Sequence, residues 1–225
     1  MDSTESVVAP MPENSARQQN RQSIFEVFPA DKHDTLIMKW PDHQRNIPHE
    51  FAWAAQRLTS TFRGVPEDDA LLHPFLYLYR HAIETAIKEL INEVAAFRRL
   101  KGERGEDVDP AKIERHHRRE ARHDLAILLN DLNAQMSAAE FPLLPGDVRE
   151  ALALLADADP KGNSFRFPTE YLDTNRIDFS KLAAMFDGVY SMIAAGVDMV
   201  DAAKQAESDY IADMAAEAPH ASEYW

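Results

Sequence analysis

Residues 115–123 read RHHRREARH, and the residue types and spacings in this run bear most of the chemistry the chain offers. Arg118 and His123 stand five positions apart. A metal-independent ribonuclease needs a group that moves a proton at the 2′-hydroxyl and a cation that meets the developing phosphorane charge. His and Arg supply those two roles. On a helix the spacing spans just over one turn, so both side chains reach one phosphate only with extended rotamers. Arg115, Arg119 and Arg122 add cations suited to holding phosphate or nucleic acid. His116 and Glu120 (i+4) and Glu120 and His123 (i+3) also share a helical face, but arginines beside them repel a metal cation, and no metal site is expected. The competing reading of the run is a solvated basic face in front of a helix.

A second group of polar residues lies on the strongest helical pattern in the chain. From about Pro74 to Leu100, the side chains Leu76, Ile83, Ile87, Leu90, Ile91 and Val94 form one apolar stripe at 100° per residue. Arg80 falls inside that stripe. A buried guanidinium needs a partner, and Glu84 at i+4 is the local one, with Asp157 and Asp159 as distant alternatives. The choices for Arg80 are a buried ion pair that fixes helix register or a polar pocket for phosphate. Lys88 continues the same side. His81 sits at the stripe's edge one turn from Glu84, but without a second such pair di-metal chemistry has no support.

The elements that must position these residues are helical. Pro48 marks a helix start, and HEFAWAAQRLTSTF follows until Gly64–Pro66. The 74–100 helix gives way to a loop at 101–110, and a basic helical segment over about 111–122 leads into HDLAILLNDLNAQM, with Leu125, Leu128, Leu129, Leu132 and Met136 on one face. A short helix follows at GDVREALALLADAD, then turn-rich sequence at 159–177. A last long helix runs from 178 to about 218. Its buried side is Leu182, Met185, Phe186, Val189, Ile193, Val197 and Val200, and Gly188 and Gly196 permit close approach or a kink. Residues 1–22 read as a disordered tail. Residues 23–47 read as an extension with a β-hairpin over 23–40, and 219–225 as a short tail. The expected fold class is all-α, with one helical domain over 48–218.

Composition narrows the function classes. The 225 residues include no cysteine, so disulfides, thiol catalysis and Cys-ligated metals are excluded. No phosphate-loop, dinucleotide or G-x-S-x-G motif occurs, and no cofactor is expected. No run of 18 apolar residues or secretory leader is read, so a cytoplasmic protein without a membrane span is expected. The net charge of −14 repels nucleic acid over most of the surface. Residues 98–122 are the exception, with 9 basic and 6 acidic side chains, while 123–225 carry 6 basic and 18 acidic ones. A phosphate would be met at that basic island. Otherwise the island offsets the acidic region, within the chain or across a dimer.

Three segments in series, FLYLYRHAIETAIKELI (75–91), RHDLAILLNDL (122–132) and FRFP (165–168), resemble the HEPN superfamily of helical domains. In that pattern an aromatic-x-x-x-A-x-E-x-x-x-K helix is followed by an H-D-L helix and an R-[YF]-P turn. The resemblance places Glu84 and Lys88 at the charged helix positions, His123 and Asp124 at the H-D-L start, and Arg166 and Pro168 at the turn. It implies a helical bundle, a homodimer, and a role in toxin–antitoxin, antiphage-defence or RNA-processing systems, with RNA, nucleotide or a protein as partner. Family members that cleave RNA carry R-x(4–6)-H on a later helix. Here only Arg118 and His123 have that spacing, and they precede the H-D-L helix. The leading expectation is therefore a non-catalytic regulatory or binding component. The alternatives are an endoribonuclease using Arg118 and His123, and a structural homodimer or protein-interaction module.

Overall fold

The computed structural model describes residues 46–165 and 176–217, so the tail at 1–22, the hairpin at 23–40, Arg166, Pro168 and the tail at 219–225 lie outside the described residues. The described residues form six α-helices and no strand. They are α1 (Ile47–Thr59), α2 (Leu72–Leu100), α3 (Pro110–His116), α4 (Leu125–Ala138), α5 (Gly146–Ala158) and α6 (Phe179–Glu217). The helical bundle is all-α, as the periodicity of its apolar residues requires.

Several helices start at a side-chain cap. Asn46 caps α1 by accepting from the His49 amide at 2.9 Å, with Pro48 in the first turn. Asp109 caps α3 by accepting from the Lys112 amide at 2.9 Å. Asp124 caps α4 through the amides of Ala126 and Ile127, at 3.0 and 3.1 Å. Such caps satisfy amides that the first turn leaves unpaired.

The organising pair is α2 with α6. Phe75 packs edge-on against Phe179 with ring centroids 4.9 Å apart, and Tyr79 stacks on Phe186 at 5.8 Å. Further along, Leu90 meets Gly196 and Glu93 pairs with Lys204, so the two helices run in the same direction. A Cβ on Gly196 would stand 3.0 Å from Leu90 Cδ2, which identifies this glycine as a close-approach position. Gly188 has open space around it. All six stripe residues of α2 are buried, and Ile87, Leu90 and Ile91 are among the largest fully buried side chains. α1 and α4 pack on α2, and α5 bridges α4 and α6. α6 also contains an 18-residue window of mean hydropathy 1.3, about one third of it buried against the bundle.

The segment 111–122 departs from a simple helix leading into α4. α3 ends at His116, the backbone widens into a π turn over His117–Ala121, and Arg122 adopts φ 46°. A π turn inserts a residue into the helical ladder, and the left-handed Arg122 then reverses the chain ahead of the Asp124 cap. Arg118 thus sits in the π turn and His123 beyond the positive-φ Arg122, so the two do not share one regular helix.

Candidate functional site

Arg80, Glu84 and Lys88 rise along α2 at one-turn steps and meet the break before α4. Arg80 is 3% exposed, and its Nη1 donates to Glu84 Oε2 at 2.9 Å. Its Nη2 donates to the backbone carbonyl of His123, and its Nε faces Asp159 Oδ2 at 3.7 Å. Lys88 Nζ donates to Glu84 Oε1 at 2.6 Å and to the Arg122 carbonyl at 2.5 Å. Glu84 is thus shared by two cations, and those cations also take the carbonyls of the two residues at the break.

His123 completes the group. Its Nδ1 lies 3.0 Å from Glu84 Oε1, while the side chain is half exposed. Carboxylate on one ring nitrogen orients an imidazole and leaves the other nitrogen free to act. The loop after α5 backs against the base of this side chain. Asp159 accepts from the amides of Asn163 and Ser164 at 2.8 and 2.9 Å, which folds the loop so that Gly162 sits at φ 68°. A Cβ at Gly162 would approach His123 Cβ to 2.9 Å. Both the backbone angle and the close approach call for glycine.

Electrostatics follow from burial. Burial disfavours the ionised Glu84 carboxyl, but Lys88, Arg80 and His123 outweigh it and hold the group below the usual carboxylate range. Burial also pulls Arg80 below its ordinary value, against the attraction of Glu84 and Asp159. Arg80 Nε and Asp159 Oδ2 have no hydrogen-bond partner among the described residues.

The basic run is displayed outside this cluster. Arg115, Arg119 and Arg122 are exposed and make no ion pair with another described residue. Arg118, 77% exposed, pairs instead with Glu114 at 2.7 Å. His116 bridges Glu120 and Asp131 through its two ring nitrogens, at 3.0 and 2.8 Å. Burial works against the charged His116 ring, yet Asp131 and Glu120 prevail and raise its pKa. His117 is buried, and burial with Lys88 and His116 nearby lowers its pKa. His81 meets Phe51 edge-on and stacks with Tyr77 at the edge of α2, apart from the cluster. No group of three metal-ligating side chains occurs among the described residues.

The structure thus gathers Arg80, Glu84, Lys88 and His123 with the Asp124 cap, and it leaves Arg118 outside. Sequence reasoning missed the backbone carbonyls of Arg122 and His123 as acceptors, the seating of Gly162 on His123, and Asp131 as the partner of His116. Only Gly162, a glycine in a polar turn-rich stretch, carried a local signal. No protein-family model matches this chain, and comparison with curated proteins and with solved structures also finds no match.

Proposed function

We propose that the chain is a HEPN-like, non-catalytic binding component, of the toxin–antitoxin or antiphage-defence kind, that holds RNA or nucleotide phosphate on the turn at 115–122. The observation that carries this reading is the display of Arg115, Arg119 and Arg122. All three are exposed and free of ion pairs with described residues, on a turn whose backbone is anchored from behind by Arg80 and Lys88. Exposed arginines on a fixed backbone suit phosphate oxygens, because the planar guanidinium binds them bidentately. Arg118, the cation that catalysis would require, stands outside the Glu84–His123 cluster, in a surface pair with Glu114.

A second reading is favoured by one observation. Glu84 on Nδ1 of the half-exposed His123 is the arrangement of an oriented general base, as a metal-independent endoribonuclease would need. One experiment separates the two. Labelled single-stranded RNA is mixed with the protein in EDTA at 50 and 200 mM salt, beside an Arg115→Ala/Arg119→Ala/Arg122→Ala variant and a His123→Ala variant. Binding without cleavage is expected, weakening about 20-fold over that salt range for three phosphate contacts. The triple variant should lose it. Absence of binding by the unmodified protein refutes the lead, and cleavage that His123→Ala abolishes establishes the second reading.

A further inference from the structure

The end of α6 leaves the bundle. Val200 is fully buried and Ala203 and Lys204 still pack at its edge, but every side chain from Ser208 to Ala216 is exposed. Tyr210, Ile211 and Met214 stand 61%, 42% and 52% exposed. At 100° per residue Ile211 and Met214 fall within about 40° of Val200. The stripe that α6 buries on α2 therefore continues beyond the helix it packs on. A helix in a protein draws most of its stability from packing, and the bundle supplies none to this end.

Glu207 lies on the same stripe, between Lys204 and Ile211. Any surface that covers Ile211 and Met214 also covers this carboxylate, and a covered carboxylate needs a cation. The segment 198–217 has six acidic side chains and one basic one, Lys204. Lys204 is already shared by Glu93 and Asp201. The cation must come from whatever docks.

We propose that this distal stripe of α6 is the docking surface for a basic amphipathic helix of another protein. Its apolar side chains would lie on Ile211 and Met214, and its Lys or Arg side chains would meet Glu207 between them. A second copy of the chain does not meet these needs. Pairing the distal segments of two α6 helices sets six carboxylates against six, and the one lysine of each segment is already shared by Glu93 and Asp201. The basic turn of a second copy supplies cations, but among the described residues no large apolar side chain is exposed between 98 and 140. An anionic membrane surface is repelled by the same carboxylates.

The test titrates the full chain into a fluorescein-labelled helical peptide of roughly 20 residues with leucine at a and d positions and Lys/Arg elsewhere. The comparison peptide replaces Lys/Arg by Glu, and sedimentation velocity follows the chain alone. The basic peptide should bind and the acidic one should not. Ile211→Asp/Met214→Asp should weaken binding by about tenfold or more, and Glu207→Lys by about tenfold, with melting unchanged because these positions lie outside the core. The proposal is overturned if the basic peptide fails to bind, if it binds equally to the Ile211→Asp/Met214→Asp variant, or if the chain alone forms a dimer which that variant abolishes.

Discussion

Glu84→Gln removes one negative charge from a site where Arg80 and Lys88 both depend on it. Glu84 is only 6% exposed as a side chain and Arg80 3%, so water screens their pairing little. Removing one partner of a buried ion pair costs about 3–5 kcal/mol, because the other charge stays buried without compensation. Asp159, 3.7 Å from Arg80, offsets part of this, and Lys88, 21% exposed, recovers some hydration, so the lower half of that range applies. At about 2–4 °C per kcal/mol for a chain of this size, Tm should fall by roughly 6–16 °C. Calorimetry at pH 7 measures this, with Arg118→Ala as an exposed control expected to change stability by no more than about 0.5 kcal/mol. The double variant Arg80→Met/Glu84→Leu should lose less than the two single changes added, since it leaves no orphaned charge. The pH dependence has a defined sign. Glu84 is held below the usual carboxylate range, so its contribution is present above the unfolded value of about 4.3 and is lost as pH falls through the folded value. The advantage of the unmodified protein over Glu84→Gln should accordingly shrink in acid. A fall in Tm at pH 7 of less than about 2 °C would refute the reasoning.

The two adjacent histidines have pKa shifts of opposite sign, and stability should depend on pH accordingly. His116 is raised, so its contribution is complete below the unfolded value of about 6.5 and is lost as pH rises through the folded one. His117 is lowered, so its contribution is present above about 6.5 and is lost as pH falls. Relative to the parent, His116→Gln should therefore cost most on the acid side and His117→Gln most on the alkaline side of melting curves taken across pH 5–9, and identical pH profiles would contradict both assignments. Gly162→Ala should cost at least about 1–2 kcal/mol from its left-handed backbone. It should also shift the His123 ring signals in NMR, because the new methyl meets His123 Cβ; unchanged stability and unchanged signals would remove Gly162 from the site.

The helical elements were legible because their signals are local. The α2 stripe repeats at 3.6 residues and every member is buried, and Pro48 marks the start of α1 with a residue whose preference is strong, although the helix ends at Thr59, before the expected stop at Gly64. The Arg80–Glu84 pair was legible for a related reason, since a charge within an apolar stripe demands a partner and the helix supplies one at i+4. The break at 117–124 was not legible. Each residue of HHRREARH tolerates a helix, and what ends it is an external pull on two carbonyls, by Arg80 at His123 and Lys88 at Arg122. Those contacts span 43 and 34 positions. A pattern read along the chain carries no trace of them, so Arg118 and His123 appeared as helical neighbours.

That break changes what the basic run can do. Had the helix continued through 122, Arg115, Arg118, Arg119 and Arg122 would spread over one cylinder, and His123 would point wherever its helical phase took it. Instead Glu84 holds both cations, the cations hold two carbonyls, and the backbone at Arg122 is forced to φ 46°. The arginine side chains are left on the outer side of a turn whose inner side is a buried ion cluster. The cost of placing Arg80 and Glu84 in the core is thereby tied to the presentation of the surface. The two readings of Arg80, a structural pair and a support for phosphate binding, are consequently not alternatives. A variant that breaks the buried pair should loosen the turn before it unfolds the bundle, so Glu84→Gln should weaken RNA binding at temperatures well below its own Tm. Binding that stays at parental strength up to that Tm would separate the cluster from the surface and leave the pair as a core feature alone.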